Sequence, residues 1–287
     1  MSRNIFTSAK RIVIKIGSSL IVDEDKQHLR DTWLHSLADD LAHLKEQGKE
    51  VILVSSGAIA VGRKALGDNF DRTDLAQKQA AASIGQILLA HYYQDIFQKR
   101  NINVGQVLLT SYAFKDTEHK HNAKQTLDKL LSLGVIPIIN ENDAVATQEI
   151  RFGDNDKLSA QVAALTKADA LILLSDVDGL YSADPRKDKD AAFIRFVVGE
   201  ITDSIKQMAG STNSSVGTGG MASKIAAAEI CLANDITMSI TSGKDLNPIS
   251  KLFDEKKATW FLPSSPKKVI TKKEMDYNLK GEGKTHE

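Results

Sequence analysis

The sequence of 287 residues lacks the paired cysteines, the net charge and the long apolar runs that define several large classes of protein. It has one cysteine, so no intrachain disulfide can form. Its 37 basic residues are balanced by 37 acidic ones, which leaves no overall charge to attract nucleic acid or an anionic membrane. No window reaches the roughly eighteen apolar residues of a membrane helix, and the first residues lack the apolar stretch of a signal peptide. We therefore expect a cytoplasmic protein whose partners include neither nucleic acid nor a membrane.

A metal site built from histidine is also not indicated. The seven histidines are scattered, and the close pair His119 and His121 lacks a cysteine or acidic partner at zinc-site spacing. The single Cys231 lies among small residues in a helical pattern, which predicts a buried thiol.

Strand and helix patterns alternate along the chain, which predicts an α/β fold with a mainly parallel sheet covered on both faces. Leu34, Leu37, Leu41 and Leu44 form a helical stripe that ends at Gly48. Strands are predicted at 11–16, 51–54, 104–109, 135–139, 170–174, 194–198, 236–240 and 260–262. Further helices are predicted at 75–98, 122–133, 156–166, 204–208 and 221–233, and the apolar face of 75–98 is assigned to Ala80, Ala81, Ile84, Ile87 and Leu88.

Two dense polar clusters stand beside apolar elements. The strand before Asn140-Glu141-Asn142-Asp143 stops at this cluster, and Gly153-Asp154-Asn155-Asp156 opens the next helix. Asn, Asp and Gly also form ordinary turns, so one such cluster alone would indicate little. Two of them close together favour a ligand site, because open α/β sheets bind ligands at the carboxyl ends of their strands.

The segment Gly217-Thr218-Gly219-Gly220 leads into a helix that carries Lys224 in its first turn. Glycines let backbone N–H groups approach an anion, and the helix N-terminus adds partial positive charge, which favours phosphate binding. The alternative is a tight turn without a ligand. Neither of the two common nucleotide motifs is present, and Gly283-Lys284-Thr285 resembles only the end of one of them by chance.

Lys15 interrupts an apolar strand just before Gly17, which indicates an anionic partner for its ammonium. An edge strand with the amine in solvent is the alternative. The next strand ends similarly in Ser55-Ser56-Gly57 and opens a helix. Ser56 fits a hydrogen-bond donor better than a nucleophile, because its surroundings do not form G-x-S-x-G. Ser175 and Asp176 end a further strand, which predicts a contact to a nucleotide ribose or base, a contact to a magnesium shell, or a plain turn.

Together these segments resemble the amino-acid kinase family, most closely its members that act on L-glutamate. The resemblance covers about residues 10–262 and is carried by 13–19, 54–60, 138–147, 153–156 and 217–221 in the family's order. It implies an open three-layer α/β/α sandwich with a mainly parallel central sheet. The kinase domain would span 1–263, with an amino-acid-binding half at about 10–166 and an ATP-binding half at about 167–263. The Lys-rich segment 264–287 would be a mobile tail.

The resemblance implies ATP-dependent phosphorylation of the side-chain carboxylate of L-glutamate to glutamyl 5-phosphate, the first step of proline biosynthesis. Transfer would be direct and in line, with Mg²⁺ bound through the ATP phosphates and not by the protein. The catalytic residues implied are Lys15, Lys224 and Asp156, and the substrate-binding residues are Ser56, Asn140, Asp143, Asp154 and Asn155. The nucleotide-binding residues implied are Lys15, Gly17, Ser175, Asp176, Thr218, Gly219, Gly220, Met221, Ala222, Ser223 and Lys224.

The resemblance further implies proline as a feedback inhibitor, a glutamyl phosphate reductase as a partner, and a homo-oligomer. Many relatives carry a C-terminal domain of the RNA-modification type, for which the tail here is too short. Two alternatives remain: a sister kinase acting on another acid or on UMP, and a non-catalytic sensor of amino acid or ATP. The two Asn/Asp clusters speak against the first, and the presence of Lys15, Asp156 and Lys224 together speaks against the second.

Overall fold

The computed structural model describes residues 8–23, 28–67, 70, 71, 73–145, 155–210, 220–254 and 257–264. Within these ranges, none of the helices combines the length and the apolar character needed to span a bilayer. The predicted tail at 264–287 lies outside the described residues, apart from Ser264.

The strands form one large sheet and two small hairpins. They are β1 (Arg11–Ile16), β2 (Val22–Asp23), β3 (His28–Leu29), β4 (Glu50–Ser55), β5 (Val104–Leu109), β6 (Ile136–Glu141), β7 (Ala170–Ser175), β8 (Leu180–Tyr181), β9 (Phe193–Ile194), β10 (Phe196–Val198), β11 (Thr237–Ser242) and β12 (Ala258–Leu262). The large sheet has 8 strands in the order β10-β12-β11-β7-β1-β4-β6-β5. Strand β12 pairs antiparallel with β11, and the other neighbours in this sheet are parallel, which confirms the mainly parallel sheet.

Helices cover both faces of the sheet. They are α1 (Ser18–Ile21), α2 (Asp31–Glu46), α3 (Ala58–Gly62), α4 (Leu75–Gln98), α5 (Thr117–Ser132), α6 (Asn155–Thr166), α7 (Asp203–Met208), α8 (Met221–Leu232) and α9 (Pro248–Phe253). Short 3-10 turns lie at Arg63–Leu66, Ser111–Phe114 and Asp143–Val145.

Side chains alternate between the two faces along each strand. On β1, Ile12 and Ile14 pack into the core shared with α2, α4 and α9, whereas Val13 packs into the core shared with α5, α6 and α8. This arrangement confirms the predicted α/β sandwich of three layers. Cys231 on α8 is buried as predicted, and burial raises the pKa of its thiol.

Strand β1 lies between β7 and β4, near the middle of the sheet. Because these strands are parallel, their carboxyl ends meet at one edge, and the helices that follow them begin there. The predicted site residues after β1, β4, β6 and β7 are therefore brought to the same edge of the sheet.

The predicted apolar face of α4 was wrong in part. Of its members Ala81 is buried, but Ile87 and Leu88 are 73% and 46% exposed, whereas Leu89 and Tyr93, which were not assigned to it, are buried. Apolar residues recur at helical spacing on both sides of α4, so periodicity alone could not choose between them. The predicted strand at 194–198 is likewise two short strands, of which β9 pairs with β8 and β10 joins the large sheet.

Contact between two glycines decides which side of α4 is buried. A Cβ on Gly85 would lie 1.8 Å from the carbonyl oxygen of Ala58, and one on Gly62 would lie 1.8 Å from that of Ala81. Helices α3 and α4 therefore cross with their backbones in contact, which larger residues on either helix would prevent. This crossing holds α3 directly behind the Ser55-Ser56-Gly57 turn.

We predict that Gly85→Ala destabilises the protein by about 1–3 kcal/mol or more, because the added methyl group meets backbone that cannot move aside. Denaturant unfolding measures the change. Ser83→Ala, an exposed position on the same helix, is the control and is expected to change stability by less than about 0.5 kcal/mol. Equal stability of the Gly85→Ala variant and the wild type would contradict the close crossing.

Candidate active site

Lys15 is buried in the middle of the sheet. It lies on the same face of β1 as Val13, towards α6 and α8, and is 6% exposed. Its Nζ is 2.5 Å from Oδ1 of Asp156 in the first turn of α6. The alternative of an edge strand with the amine in solvent is therefore excluded, because β1 is central and the ammonium has an anionic partner.

Asp156 also pairs with a second lysine. Nζ of Lys224, in the first turn of α8, donates to Oδ2 of Asp156 at 2.9 Å. Asp156 is fully buried at 0% exposure and Lys224 is 5% exposed. Burial on its own would raise the pKa of Asp156, but the ammonium groups of Lys15 and Lys224 outweigh it and hold that pKa below its ordinary value.

This trio of Lys15, Asp156 and Lys224 contains two cations and one anion. It lies where strand ends and helix N-termini meet, which is a favourable place for a further anion. The trio can therefore neutralise a transferring phosphoryl group, with the carboxylate keeping the two ammonium groups together in its absence.

A second cluster surrounds Asn155, the residue immediately before Asp156. Its Nδ2 lies 3.1 Å from the carbonyl oxygen of Ser55, 2.9 Å from Oγ of Ser56 and 3.0 Å from Oδ1 of Asn140. These contacts join the carboxyl ends of β4 and β6 to the start of α6. The structure thus brings together three of the predicted substrate-binding residues.

The orientation of the Asn155 amide follows from its partners. The carbonyl oxygen of Ser55 can only accept, and Oδ1 of Asn140 is an acceptor because the Glu141 N–H donates to it at 2.9 Å. The amide nitrogen must therefore face them, which turns Oδ1 of Asn155 the other way. That oxygen is buried and has no hydrogen-bond partner among the described residues.

Asp143 provides a similar unpaired acceptor. It lies in the short turn after β6, and its buried Oδ1 has no hydrogen-bond partner in the described part of the chain. Burial raises the pKa of this carboxyl group to about 6. Two buried acceptors without donors cost free energy, which a ligand that carries hydrogen-bond donors would recover.

The predicted nucleotide residues lie at the same edge. The Gly17 N–H donates to the Leu174 carbonyl oxygen at 3.2 Å, which joins the ends of β1 and β7. Ser175 is buried and its hydroxyl donates to Oδ1 of Asp176 at 3.0 Å, while Asp176 itself is exposed.

Helix α8 begins beside Lys224. Gly220 precedes its first turn, and no described side chain caps its N-terminus. Met221, Ala222 and Ser223 are partly buried in that turn. The described residues do not include Asp154, Thr218 or Gly219. The two alternatives for 217–219, a phosphate loop or a tight turn, therefore stay predictions.

Sequence reasoning missed three residues that support the cluster around Asn155. Ser55 Oγ lies 2.9 Å from the hydroxyl oxygen of Tyr93, and Gln86 Nε2 donates to the Glu141 carbonyl oxygen at 3.3 Å. Ser55 could have been suspected because it precedes Ser56. Tyr93 and Gln86 lie in the middle of a long helix, where no motif distinguishes them.

Comparison with known proteins identifies the family of the chain and two of its relatives. Residues 10–242 match the amino acid kinase family. The chain is 50% identical over 276 residues to glutamate 5-kinase of Paramagnetospirillum magneticum, covering 96% of this chain and 74% of that protein. It is 49% identical over 271 residues to glutamate 5-kinase of Rhodospirillum rubrum, covering 94% of this chain and 72% of that protein.

Solved structures give the same fold at much lower sequence similarity. UMP kinase from Ureaplasma parvum has a TM-score of 0.62 and 18% identity, with 88% of this chain and 99% of that chain covered. UMP kinase from Bacillus anthracis has a TM-score of 0.61 and 16% identity, with 90% and 97% covered. These two likenesses concern the fold alone, whereas the family match and the sequence identity extend over most of the chain. The chain belongs to the amino acid kinase family.

Proposed function

We propose that the protein uses ATP to phosphorylate the side-chain carboxylate of L-glutamate, producing glutamyl 5-phosphate in the first step of proline biosynthesis. The observation that carries the proposal is the junction of Asn155 and Asp156. Asn155 contacts Ser56 and Asn140, and its buried amide oxygen has no hydrogen-bond partner among the residues that the structure describes, while Asp156 holds two lysines. Identity of 49–50% to two glutamate 5-kinases supports glutamate as the acceptor.

The chemistry requires little beyond alignment and charge neutralisation. A carboxylate is already ionised at neutral pH, with a pKa of about 4.3 for a glutamate side chain, so no general base is needed to activate it. The phosphoryl group moves between two anions, and negative charge spreads over its oxygens in the transition state. Lys15 and Lys224 offset this charge, and Asp156 holds both ammonium groups in place as a positioning residue.

The buried acceptors suit the α-ammonium of an amino acid. Asp143 offers a carboxylate oxygen and Asn155 offers its amide oxygen, so both can accept from an ammonium group. Asn155 cannot also serve the α-carboxylate, because its amide nitrogen is used within the protein. The hydroxyl of Ser56 and the amide of Asn140 are the donors assigned to the α-carboxylate, and Asp154 completes the substrate site.

The nucleotide belongs to the other half of the site. Ser175, Asp176 and Gly17 hold it at the ends of β7 and β1, and residues 218–224 hold its phosphates at the start of α8. Mg²⁺ would be held by the ATP phosphates, whose oxygens are the ligands it prefers, and would supply positive charge there. Asp156 is consistent with Mg²⁺ being held by ATP and not by the protein, because both of its carboxylate oxygens are already paired with lysines. The amino-acid half is thus assigned to about 10–166 and the ATP half to about 167–263.

Two further partners and an assembly of the chain belong to the proposal. Proline has an α-carboxylate and an ammonium group, so it competes for the glutamate site as a feedback inhibitor. Glutamyl 5-phosphate is a reactive acyl phosphate, so a reductase that consumes it promptly is the expected partner. A homo-oligomer is the assembly proposed for the chain.

A hydroxylamine assay tests the proposed function. The protein is incubated with Mg-ATP and with glutamate, aspartate, N-acetylglutamate or UMP, and ADP and acyl hydroxamate are measured. Hydroxamate and ADP with glutamate are expected. Hydroxamate from N-acetylglutamate instead, or ADP without hydroxamate from UMP, identifies a sister kinase, and absence of ADP with all four substrates identifies a sensor.

We predict that Lys15→Ala and Lys224→Ala each lower kcat by roughly 10²- to 10³-fold, as does loss of one preorganised donor in other enzymes. The measurement is ADP release at saturating glutamate and ATP. Lys120→Ala, an exposed position on α5, is the control and keeps wild-type turnover. Near-normal turnover of either buried-lysine variant would remove that lysine from the mechanism.

We also predict that kcat/KM for glutamate falls about tenfold per pH unit below the pKa of Asp143, which is about 6. A protonated Asp143 is neutral and cannot pair with the α-ammonium, while glutamate itself keeps its charges down to about pH 5. Because burial raises this pKa from 3.8 to about 6, the free energy of unfolding falls as the pH rises between these two values and stays lower above pH 6, a cost that ammonium binding offsets.

The matched variant for this pH profile is Asp143→Asn. It is expected to raise KM for glutamate and to abolish the pH dependence between pH 5 and 7, since no titrating group remains at that position. A slope that persists in this variant would assign the titration to another residue.

A further inference from the structure

Helix α4 reaches the substrate side of the sheet with two side chains. Gln86 and Tyr93 are seven residues apart, so they lie on the same face of the helix, about two turns from each other. Tyr93 meets Ser55 at the end of β4, and Gln86 meets the carbonyl oxygen of Glu141 at the end of β6. Ser56 follows the first of these strands directly, and Asn140 lies in the second.

The hydrogen bond of Tyr93 has a defined direction. Ser55 Oγ donates its one proton to the carbonyl oxygen of Ser56 at 3.1 Å. The hydroxyl of Tyr93, 2.9 Å away, is therefore the donor to Ser55 Oγ. A chain of two hydrogen bonds thus runs from α4 through Ser55 to the backbone of Ser56, whose Oγ accepts from Asn155.

A cavity lies beside this chain. Its volume is about 460 Å³, and Ser55, Gln86, Tyr93 and Asn140 are among its lining residues. The exposed residues Ile87 and His91 line it as well, so it is a pocket that opens at the surface of α4 beside these hydrogen bonds.

We propose that Tyr93 is a positioning residue for the acceptor substrate, acting through Ser55 to hold Ser56 in the geometry that binds glutamate. The proposal rests on the proposed function, because it takes glutamate as the ligand of Ser56. Tyr93 touches neither substrate nor reacting atoms in this assignment. Its hydroxyl sets the Ser55-Ser56 turn, while its ring packs in the core.

The test compares two neighbouring tyrosines of one helix. Tyr93→Phe keeps the buried ring and removes the donor to Ser55, and it is expected to raise KM for glutamate about threefold to tenfold, the value of one hydrogen bond. KM for ATP and kcat stay near wild type, because Lys15, Asp156 and Lys224 are unaffected.

Tyr92→Phe is the matched control, since Tyr92 donates to the carboxylate of Asp31 and has no link to Ser55. Both variants lose one tyrosine hydroxyl and one hydrogen bond, although Tyr93 is buried and Tyr92 is partly exposed. Thermal unfolding of each variant measures its loss of stability. A purely structural role of Tyr93 predicts equal KM values for glutamate in the two variants.

Ser55→Ala tests the same chain of hydrogen bonds by removing its middle member. It replaces Tyr93→Phe if that variant does not fold. It is expected to raise KM for glutamate to a similar extent. In the double variant the two effects do not add, because both changes break the same chain. Additive effects, or a KM for glutamate in Tyr93→Phe equal to that in Tyr92→Phe, would overturn the proposal.

The wild-type hydroxamate assay separates this proposal from the proposed function. Hydroxamate from glutamate with no difference between the two tyrosine variants overturns the role of Tyr93 alone. A wild-type protein that forms no hydroxamate from glutamate overturns both.

Discussion

The pairing of Asp156 with Lys15 and Lys224 is the interaction on which the site depends. A fully buried carboxylate is unfavourable unless cations and hydrogen bonds compensate for lost hydration, and two buried ammonium groups repel each other without an anion between them. Each member therefore needs the others. Because Lys15 comes from β1, Asp156 from α6 and Lys224 from α8, the trio also ties the central strand to the two helices on one face of the sheet.

The parallel sheet makes this pairing possible. Parallel strands end at one edge and their helices start there, so residues from distant parts of the chain meet as strand ends and helix N-termini. At the start of α6, Asn155 binds the ends of β4 and β6 while Asp156 binds the two lysines. One backbone step therefore separates the cluster proposed to recognise the acceptor from the lysine pair proposed to neutralise the phosphoryl group, and the proposed function needs these two reactants to be adjacent.

Helix α4 contacts the carboxyl ends of β4 and β6. Gly85 allows α3 to cross it in backbone contact, and Tyr93 and Gln86 bond to the strand ends beyond the crossing. Its opposite side exposes Ile87 and Leu88. A helix that is apolar on both sides gives no local signal of which side is buried, so the choice depends on what fits against α3.

Local patterns in the sequence predicted the alternation of strands and helices and the parallel three-layer fold. They also drew attention to Lys15, Lys224 and the cluster that contains Asn155 and Asp156. Alternation and helical spacing are properties of short segments, and a lysine in an apolar strand or an amide cluster at a strand end is visible without the fold. The tertiary structure decided the pairings: that Asp156 holds both lysines, that Asn155 turns its buried amide oxygen away from Ser55 and Asn140, and that Tyr93 reaches Ser55. Those contacts join residues far apart in the chain, and their distances depend on strand order and helix crossing, which no local pattern contains.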